Sequence, residues 1–296
     1  MTGDAVAPAS ARLRPEEIAA RSGSNFLAGF LGLDAARRAG MTAIYAFCRV
    51  ADDAVDEAPD AATGRTHLQF WRDELAAAAA GEATTPVGRA VQATMQTFGL
   101  GTAPLVALLD GVAMDLEPRG CEDEHELRLY CERVASAVGL ACLPVLGAGE
   151  SAAAAFAHSL GQALQLTNIL RDLRTDAEVG RIYVPRTWIA ELGIDPRWLQ
   201  GGGPPAVYAP GGPVGRLRAR LIGAAEREFA AARRSLAQLP RRSRRALVPA
   251  RIMGAVYGDL LQRLRRDPGD LRGPRVRVPR AVKVWLALLV WAGVKA

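Results

Sequence analysis

Hydrophobic residues recur three and four positions apart along most of the chain, which is the pattern of amphipathic α-helices. The sequence contains no alternating polar and apolar run long enough to build a sheet, and no internal repeat. Half of its 296 residues are hydrophobic, with Ala and Leu dominant, which favours helix and supplies a large core. We therefore predict a single all-α domain. The predicted helices cover residues 34–57, 64–81, 86–98, 104–116, 123–146, 151–175, 214–238 and 243–266.

The two ends of the chain differ from this helical body. Residues 1–14 are predicted to form a flexible tail, and the helical domain is predicted over residues 15–266. The remaining tail, 267–296, is first basic and rich in Pro, and then apolar from Ala281 to Trp291. That apolar run is too short to span a bilayer, which takes about 20 residues. It predicts either a final helix that caps the core or an interfacial anchor beside the basic stretch.

Two acidic motifs stand out from the apolar helices. The first is Asp52-Asp53-Ala-Val-Asp56-Glu57, and the second runs from Gln165 through Asn168 and Asp172 to Asp176. Both place oxygen-bearing side chains four residues apart, so that they share one helix face. Like charges at this spacing destabilise a helix by about 0.2–0.5 kcal/mol per pair, so a cation is expected to compensate. Clustered oxygen ligands without His or Cys suit Mg²⁺, which usually shares its coordination with substrate phosphates.

Each acidic motif alone is compatible with an ordinary solvated helix end. Together, and facing each other, they would line a pocket with carboxylates on both walls, each flanked by an arginine, Arg49 or Arg171. Metal ions there would hold a diphosphate and stabilise the charge that develops as its C–O bond breaks. If the organic part is allylic, an apolar helical cavity would protect the resulting carbocation from water. Tyrosines at the rim are candidates for proton transfer or for stabilising positive charge.

The distribution of charge and the spacing of the cysteines argue against some classes of protein function. The net charge is +6, and Arg provides almost all of the basic side chains. A basic helical protein that binds nucleic acid or anionic lipid would carry its cations on one face, whereas these arginines are spread along the chain. The acidic motifs would also repel a phosphate backbone, so we expect no nucleic-acid partner. The four cysteines lack metal-binding spacing and the first residues do not resemble a signal peptide, which predicts a cytoplasmic protein.

Several segments, in order, resemble the squalene/phytoene synthase family over roughly residues 20–266. They are Tyr45-Ala-Phe-Cys-Arg49 leading into the first acidic motif, Tyr130-Cys-Glu-Arg-Val-Ala-Ser-Ala-Val-Gly139, the second acidic motif, and Gly180-Arg-Ile-Tyr183-Val-Pro185. Their order and spacing argue against a terpene cyclase, which also uses acidic helices and Mg²⁺. The resemblance implies an isoprenoid-synthase-type helical bundle around a deep central cavity. It also implies head-to-head joining of two isoprenoid diphosphates with two or three Mg²⁺ ions.

The resemblance further implies roles for individual residues. The expected metal ligands are Asp52, Asp56, Asn168, Asp172 and Asp176. The expected substrate contacts are Arg49, Arg171, Gln165, Asn168 and Tyr257, with Ser24 and Asn25 in a polar turn. The expected catalytic set is Tyr45, Tyr130 and Tyr183, with Tyr130 transferring a proton, together with Asp52 and Asp172.

Three reaction outcomes occur within this family. Phytoene synthases use C20 substrates, squalene synthases use C15 substrates and then NADPH, and a bacterial subgroup of the hopanoid route stops at presqualene diphosphate. The segments Tyr130–Gly139 and Arg251-Ile-Met-Gly look most like that subgroup. We therefore expect condensation of two farnesyl diphosphates without NADPH. The oligomeric state is left open, and the C-terminal tail is a candidate for peripheral contact with the inner face of the cytoplasmic membrane.

Overall fold

The computed structural model describes residues 7–22, 32–117, 120–267 and 271–294. Those residues form helices and no strand, so the all-α prediction is confirmed. The helices in chain order are α1 (Pro15–Ser22), α2 (Ala35–Asp56), α3 (Ala61–Ala80), α4 (Pro86–Phe98), α5 (Ala103–Ala113), α6 (Glu124–Cys131), α7 (Ala137–Leu146), α8 (Ser151–Glu178), α9 (Arg186–Leu192), α10 (Pro196–Leu199), α11 (Pro205–Tyr208), α12 (Pro213–Gln238), α13 (Arg241–Ala246), α14 (Val248–Arg266) and α15 (Arg280–Trp291).

Polar side chains set the starts of the helices that lead to the site. Asp34 accepts a hydrogen bond of 2.8 Å from the backbone N–H of Arg37 and so caps α2. Asp60 caps α3 in the same way through Thr63, also at 2.8 Å, which is why α3 begins earlier than the sequence pattern indicated. Gly81 ends α3 with a φ of 86°, a left-handed conformation that glycine adopts without a steric penalty. The first acidic motif therefore lies at the end of a helix whose start is fixed.

Helices α2 and α8, which carry the acidic motifs, are both held by α7. Helix α7 packs against α2 and α8, while α8 also packs extensively along α12 and contacts α14. Helix α2 packs in addition against α3, α4 and α5. Phe47 of α2, Trp71 of α3, Leu109 of α5 and Ile169 of α8 are almost completely buried in the shared core. The two motifs therefore lie on rigid, well-packed elements.

A π-helical turn, Glu132–Ser136, joins α6 to α7 directly after Tyr130. Glycines of two neighbouring helices lie against this turn. A Cβ on Gly161 of α8 would lie 2.5 Å from the backbone of Ser136, and a Cβ on Gly111 of α5 would lie 2.6 Å from a side-chain carbon of the turn. Neither position can therefore accept a side chain without a shift of the backbone. The close packing fixes the direction of the helix that presents Tyr130, and π turns are frequent at functional sites.

The stretch Glu124–Leu146 is the one helix among the described residues with the length and composition to cross a membrane. Half of its apolar window is buried inside the protein. Its second part, α7, is enclosed by α2, α5 and α8. Core packing therefore accounts for its apolar composition.

The two ends of the chain and the helix predicted over 243–266 can be compared with the sequence-based expectation. A 3₁₀ turn, Ala9–Arg12, packs against α2 and α4 and buries Ala11, so this part of the expected loose tail lies on the body. The helix predicted over 243–266 is divided into α13 and α14, where Pro249 occupies the first turn of α14. The apolar run near the C-terminus forms α15, which packs against α14.

Candidate active site

The first acidic motif forms the C-terminal end of α2. Arg49 makes an ion pair with Asp53, one turn further along the helix, and Tyr45 lies beside the Arg49 guanidinium. Asp52 is half-buried, and burial together with the charge of Asp56 raises its pKa to about 7. Arg49 therefore contacts Asp53, while Asp52 lies in a region of surplus negative charge.

Arg181 connects the first motif to the second. Its Nη1 donates a hydrogen bond of 2.8 Å to Asp56, which is 125 residues away in the chain. The positive charge of Arg181 also lowers the pKa of Asp115 and of Asp176, although burial raises both more strongly. Because such interactions weaken with distance, Arg181 must lie near all three carboxylates. The structure therefore brings the ends of α2 and α8 within reach of one cation.

Asp172, in the second motif, is held by two arginines. Arg171 donates to it from the neighbouring position. Arg275, from the segment before α15, donates through Nε and Nη2 at 2.6 Å each, in the bidentate geometry typical of strong arginine–carboxylate pairs. Burial raises the pKa of Asp172, but the hydrogen bonds from Arg171 and Arg275 outweigh burial and lower it. Tyr257 of α14 contacts the guanidinium of Arg171, so it belongs to the same cluster.

Two further side chains of the second motif, Asp176 and Asn168, carry a carboxylate and an amide oxygen that their neighbours do not fully stabilise. Burial and the charge of Asp172 raise the pKa of Asp176 to about 7. The side-chain nitrogen of Asn168 donates to Oε1 of Gln165 at 3.3 Å. The Oδ1 atom of Asn168 is buried and has no hydrogen-bond partner among the described residues. A buried oxygen without a donor costs about 1–3 kcal/mol, so this atom calls for a cation or a bound ligand.

A pair of stacked tyrosines shares one carboxylate. The rings of Tyr130 and Tyr183 are 4.7 Å apart between centroids and 23° from parallel. Their hydroxyls donate to the two oxygens of Asp115, at 3.2 Å from Tyr130 and 2.9 Å from Tyr183. Burial raises the pKa of Asp115 to about 6, so it remains ionised at neutral pH. Burial and the Asp115 charge raise the pKa of both tyrosines, which keeps their hydroxyls protonated.

A cavity of about 290 Å³ opens beside the tyrosine pair. Its wall includes Asp115, Tyr130 and Tyr183 together with Arg181, the cation between the acidic motifs. The cavity is therefore lined by charged and phenolic side chains together with apolar residues such as Ala113, at the end of α5. This is the arrangement expected of a site that ionises one part of a substrate and shields another.

The donor set fits a magnesium ion that is shared with a diphosphate. Burial and repulsion from neighbouring carboxylates, Asp56 for Asp52 and Asp172 for Asp176, raise the pKa values of Asp52 and Asp176, and a cation would relieve that repulsion. The unpartnered Oδ1 of Asn168 is a further oxygen donor. Within the described ranges, no three carboxylate, imidazole or thiol side chains converge closely enough to hold a metal by themselves. Mg²⁺ commonly takes one or two carboxylates and completes its shell with water and substrate phosphates, so these residues meet its needs.

Two of the predicted substrate contacts, Ser24 and Asn25, lie outside the described residues. The other predicted site residues fall into two adjoining groups. The group around α2 and the tyrosine pair contains Tyr45, Arg49, Asp52, Asp56, Tyr130 and Tyr183. The group on α8 contains Gln165, Asn168, Arg171, Asp172, Asp176 and, from α14, Tyr257.

Sequence reasoning missed Asp115, Arg181 and Arg275. Asp115 offered a signal, because it is an acidic residue in an otherwise apolar stretch, Val112-Ala-Met-Asp-Leu116. Arg181 lay within a segment that was singled out for its tyrosine. Arg275 offered no signal, because it is one of several arginines in a tail that the sequence pattern assigned outside the helical domain.

The family model for squalene/phytoene synthases matches residues 19–282. The chain therefore belongs to the squalene/phytoene synthase family and is a prenyltransferase. This family carries out prenyl diphosphate chemistry, which usually depends on a divalent metal.

Individual relatives lie within this family. A presqualene diphosphate synthase of Rhodopseudomonas palustris is 38% identical over 272 residues, which cover 90% of this chain and 92% of the relative. A phytoene synthase of Cereibacter sphaeroides is 36% identical over 264 residues, covering 85% of this chain and 71% of the relative. The crystal structure of a dehydrosqualene synthase in complex with ligand has a TM-score of 0.79 and 26% identity, and 95% of each chain is covered. The isoprenoid-synthase fold expected from the sequence is thereby confirmed.

Proposed function

We propose that the protein joins two farnesyl diphosphates head to head to give presqualene diphosphate, with release of one diphosphate. The observation that carries the proposal is the assembly of two acidic helix ends, linked by Arg181, beside the stacked Tyr130–Tyr183 pair. The choice of a C15 substrate is supported by the similarity to the presqualene diphosphate synthase of R. palustris. The substrates are accordingly isoprenoid diphosphates, and no NADPH is expected.

The two acidic motifs form the diphosphate-binding side of the site. Asp52, Asp56, Asp172 and Asp176, with the unpartnered oxygen of Asn168, would hold two or three Mg²⁺ ions, which neutralise the diphosphate and make it a better leaving group.

Arginines supply further positive charge there. Arg171 and Arg275 both pair with the carboxylate of Asp172, so two guanidinium groups lie at this corner of the site. Guanidinium groups bind phosphate oxygens well, and Arg275 is therefore added to Arg49 and Arg171 as a diphosphate contact.

The tyrosine pair forms the side on which the carbon skeleton reacts. The reaction breaks the C1–O bond of one farnesyl diphosphate, and the C2–C3 double bond of the second attacks the allylic cation. Loss of one proton from C1 of the first then closes the cyclopropane ring, so the products are presqualene diphosphate, diphosphate and one proton. The faces of Tyr130 and Tyr183 and the negative charge of Asp115 favour the cationic intermediates.

Asp115 gives the proton a destination within the protein. Tyr130 already donates its hydroxyl proton to Oδ2 of Asp115, and burial keeps the pKa of Tyr130 too high for it to act alone as a base. Tyr130 can take the substrate proton while it passes its own to Asp115, which has a pKa of about 6. Tyr183 holds the other oxygen of Asp115 in place.

The proposed reaction is tested by incubating the purified protein with Mg²⁺ and farnesyl diphosphate, with and without NADPH, and analysing the products by mass spectrometry. A C30 cyclopropyl diphosphate that NADPH leaves unchanged is the expected product. Squalene that forms only with NADPH would identify a complete squalene synthase. Geranylgeranyl diphosphate is run in parallel, and exclusive turnover of this C20 substrate would identify a phytoene synthase, the activity named for the C. sphaeroides relative.

Tyrosine variants test the proposed proton route. Tyr130→Phe should lower kcat strongly while the protein stays folded. Tyr208→Phe is the matched control, because the buried Tyr208 hydroxyl donates to the carbonyl of Trp198, accepts from the N–H of Gly203, and is not among the groups that line the cavity beside the tyrosine pair. Equal losses of kcat in both variants would contradict the role given to Tyr130.

A further inference from the structure

Helix α15 is apolar on two sides. Leu286 and Val290 are 5% and 1% exposed, and they belong to the side that packs toward α14. The other side carries four exposed hydrophobic residues: Val284 (61%), Trp285 (60%), Leu288 (54%) and Trp291 (75%). At 100° per residue these four fall within an arc of roughly 120° of the helix. They form one continuous strip, which we term the outer face of α15.

Exposed hydrophobic side chains of this size are concentrated at this place. In the part of the chain that the structure describes, only Val106 and Val179 are comparable large exposed hydrophobics outside the C-terminal segment. Val294, directly after α15, extends the outer face and is 74% exposed. A concentrated apolar surface of this kind marks an interaction site, whereas scattered single residues do not.

Basic residues flank the outer face. Arg277 and Arg280 are exposed at the start of α15, and Lys283 is half-buried one turn further on. None of the three forms an ion pair with a carboxylate of the described residues. Burial and the charges of Arg280 and Arg277 lower the pKa of Lys283, in keeping with a locally positive surface.

We propose that the outer face of α15 docks the protein on an anionic lipid bilayer. Trp285, Leu288 and Trp291 would lie at the boundary between headgroups and acyl chains, where tryptophan is favoured, and Arg277 and Arg280 would meet the lipid phosphates. The apolar strip and the basic flank supply the two signals that stable peripheral binding requires.

The geometry excludes a spanning helix and disfavours a second copy of the chain. The 12 residues of α15 extend only about 18 Å at 1.5 Å per residue, against about 30 Å of hydrocarbon. A twofold dimer through the outer face would use the same patch of both copies, so the basic flanks of both would be placed at one interface. An anionic lipid surface complements both the apolar and the charged part of the face.

The docking surface lies close in the chain to the diphosphate side of the site. The segment that carries Arg275 to Asp172 leads directly into α15. A protein docked in this way would hold its site next to the phase in which isoprenoid substrates and products dissolve. The docking does not depend on which isoprenoid is used.

Binding is measured by co-sedimentation of the full-length protein with phosphatidylcholine vesicles, prepared with or without phosphatidylglycerol. The expected result is binding only when phosphatidylglycerol is present. Trp285→Ser combined with Trp291→Ser should weaken binding at least tenfold, and Arg277→Glu combined with Arg280→Glu should do the same, since each basic residue contributes about fivefold.

Tryptophan emission gives a second readout. Trp71 and Trp188 are buried and Trp198 is half-buried, so the exposed Trp285 and Trp291 should dominate any change on binding. We expect a blue shift with phosphatidylglycerol vesicles in the wild type and none in the double Trp variant.

Matched controls exist elsewhere on the surface. Val106→Ser removes an exposed hydrophobic residue of α5, and Arg241→Glu with Arg242→Glu reverses two exposed charges of α13. These controls should bind vesicles as the wild type does, and circular dichroism should show every variant folded. Undiminished binding by the double Trp variant, or no binding by the wild type, would overturn the proposal. So would a wild-type dimer that the Trp substitutions convert to monomer without any vesicle binding. None of these measurements depends on enzyme activity. A negative result would therefore contradict the membrane-docking proposal and leave the proposed reaction unaffected.

Discussion

Asp52→Asn is expected to stabilise the metal-free protein while it abolishes prenyl transfer. Asp52 is half-buried, and burial together with the charge of Asp56 raises its pKa from 3.8 to about 7. Folding therefore penalises the ionised carboxylate. A shift of about 3 pKa units corresponds to on the order of 4 kcal/mol once the pH exceeds 7. Asparagine has nearly the same shape and no charge, so the substitution should remove most of this penalty.

The sign and the pH window follow from proton binding. Between pH 3.8 and about 7, Asp52 binds more protons in the folded protein than in the unfolded chain. The free energy of unfolding of the wild type therefore falls as the pH rises through this window. At about 1.4 kcal/mol per pH unit, the variant should gain about 1–2 kcal/mol at about pH 5 and about 4 kcal/mol at about pH 8.

The assay is guanidinium denaturation in the presence of EDTA at both pH values. Asp53→Asn is the matched control, because Asp53 is paired with Arg49 on the same helix and its substitution should give no gain. Added Mg²⁺ should stabilise the wild type more than Asp52→Asn, since only the wild type retains the full ligand set. A variant that is less stable at both pH values, or a gain that does not grow with pH, would refute the reasoning.

Three further predictions address other parts of the molecule. Glu74→Ala should lower the free energy of unfolding by about 3–5 kcal/mol with kcat of the folded protein unchanged, since the buried Glu74 carboxylate accepts four hydrogen bonds from the loop before α4. Asp115→Asn should lower kcat about 10²-fold with little effect on KM, because it removes the charge that both tyrosine hydroxyls contact. Arg275→Ala should raise KM about tenfold or more and raise the pKa of Asp172, since two hydrogen bonds to that carboxylate are lost. Denaturation curves test the Glu74 prediction, and steady-state kinetics test the predicted kcat and KM values. The pH dependence of substrate binding tests the predicted change in the pKa of Asp172.

Each of the three has a discriminating control or outcome. Asp110→Asn removes a carboxylate of α5 that pairs with Arg72, and its kcat should stay near that of the wild type. A similar loss in Asp110→Asn would show that Asp115 acts only through general electrostatics. A changed kcat in folded Glu74→Ala, or an unchanged KM in Arg275→Ala, would contradict the corresponding argument.

The acidic stripes could be predicted because they depend only on helical periodicity. Asp52 and Asp56 are four residues apart, as are Asn168, Asp172 and Asp176, and any α-helix places such residues on one face. The pairing of Arg49 was less predictable. Asp52 and Asp53 lie three and four residues after it, both within one helical turn, and periodicity alone does not decide that Arg49 contacts Asp53.

The local irregularities escaped prediction for a different reason. The π turn after Tyr130 has no residue signal of its own within the turn, and the glycines that pack closely against it, Gly161 and Gly111, come from other helices. For the apolar run that forms α15, the sequence left open whether it caps the core or lies at an interface. The structure shows that α14 packs against the side with Leu286 and Val290 and leaves Trp285 exposed.

The sequence by itself determined the all-α fold, the two oxygen-bearing helix faces and the tyrosine-containing segments, because each depends on residue type and spacing within a few turns of helix. Only the tertiary structure decided which charges meet. Asp115 joins tyrosines that are 15 and 68 residues away, Arg181 reaches Asp56 across 125 residues, and Arg275 reaches Asp172 across 103. Contacts of this range are set by the packing of α2, α7 and α8 around a common core, and no local pattern in the chain encodes them.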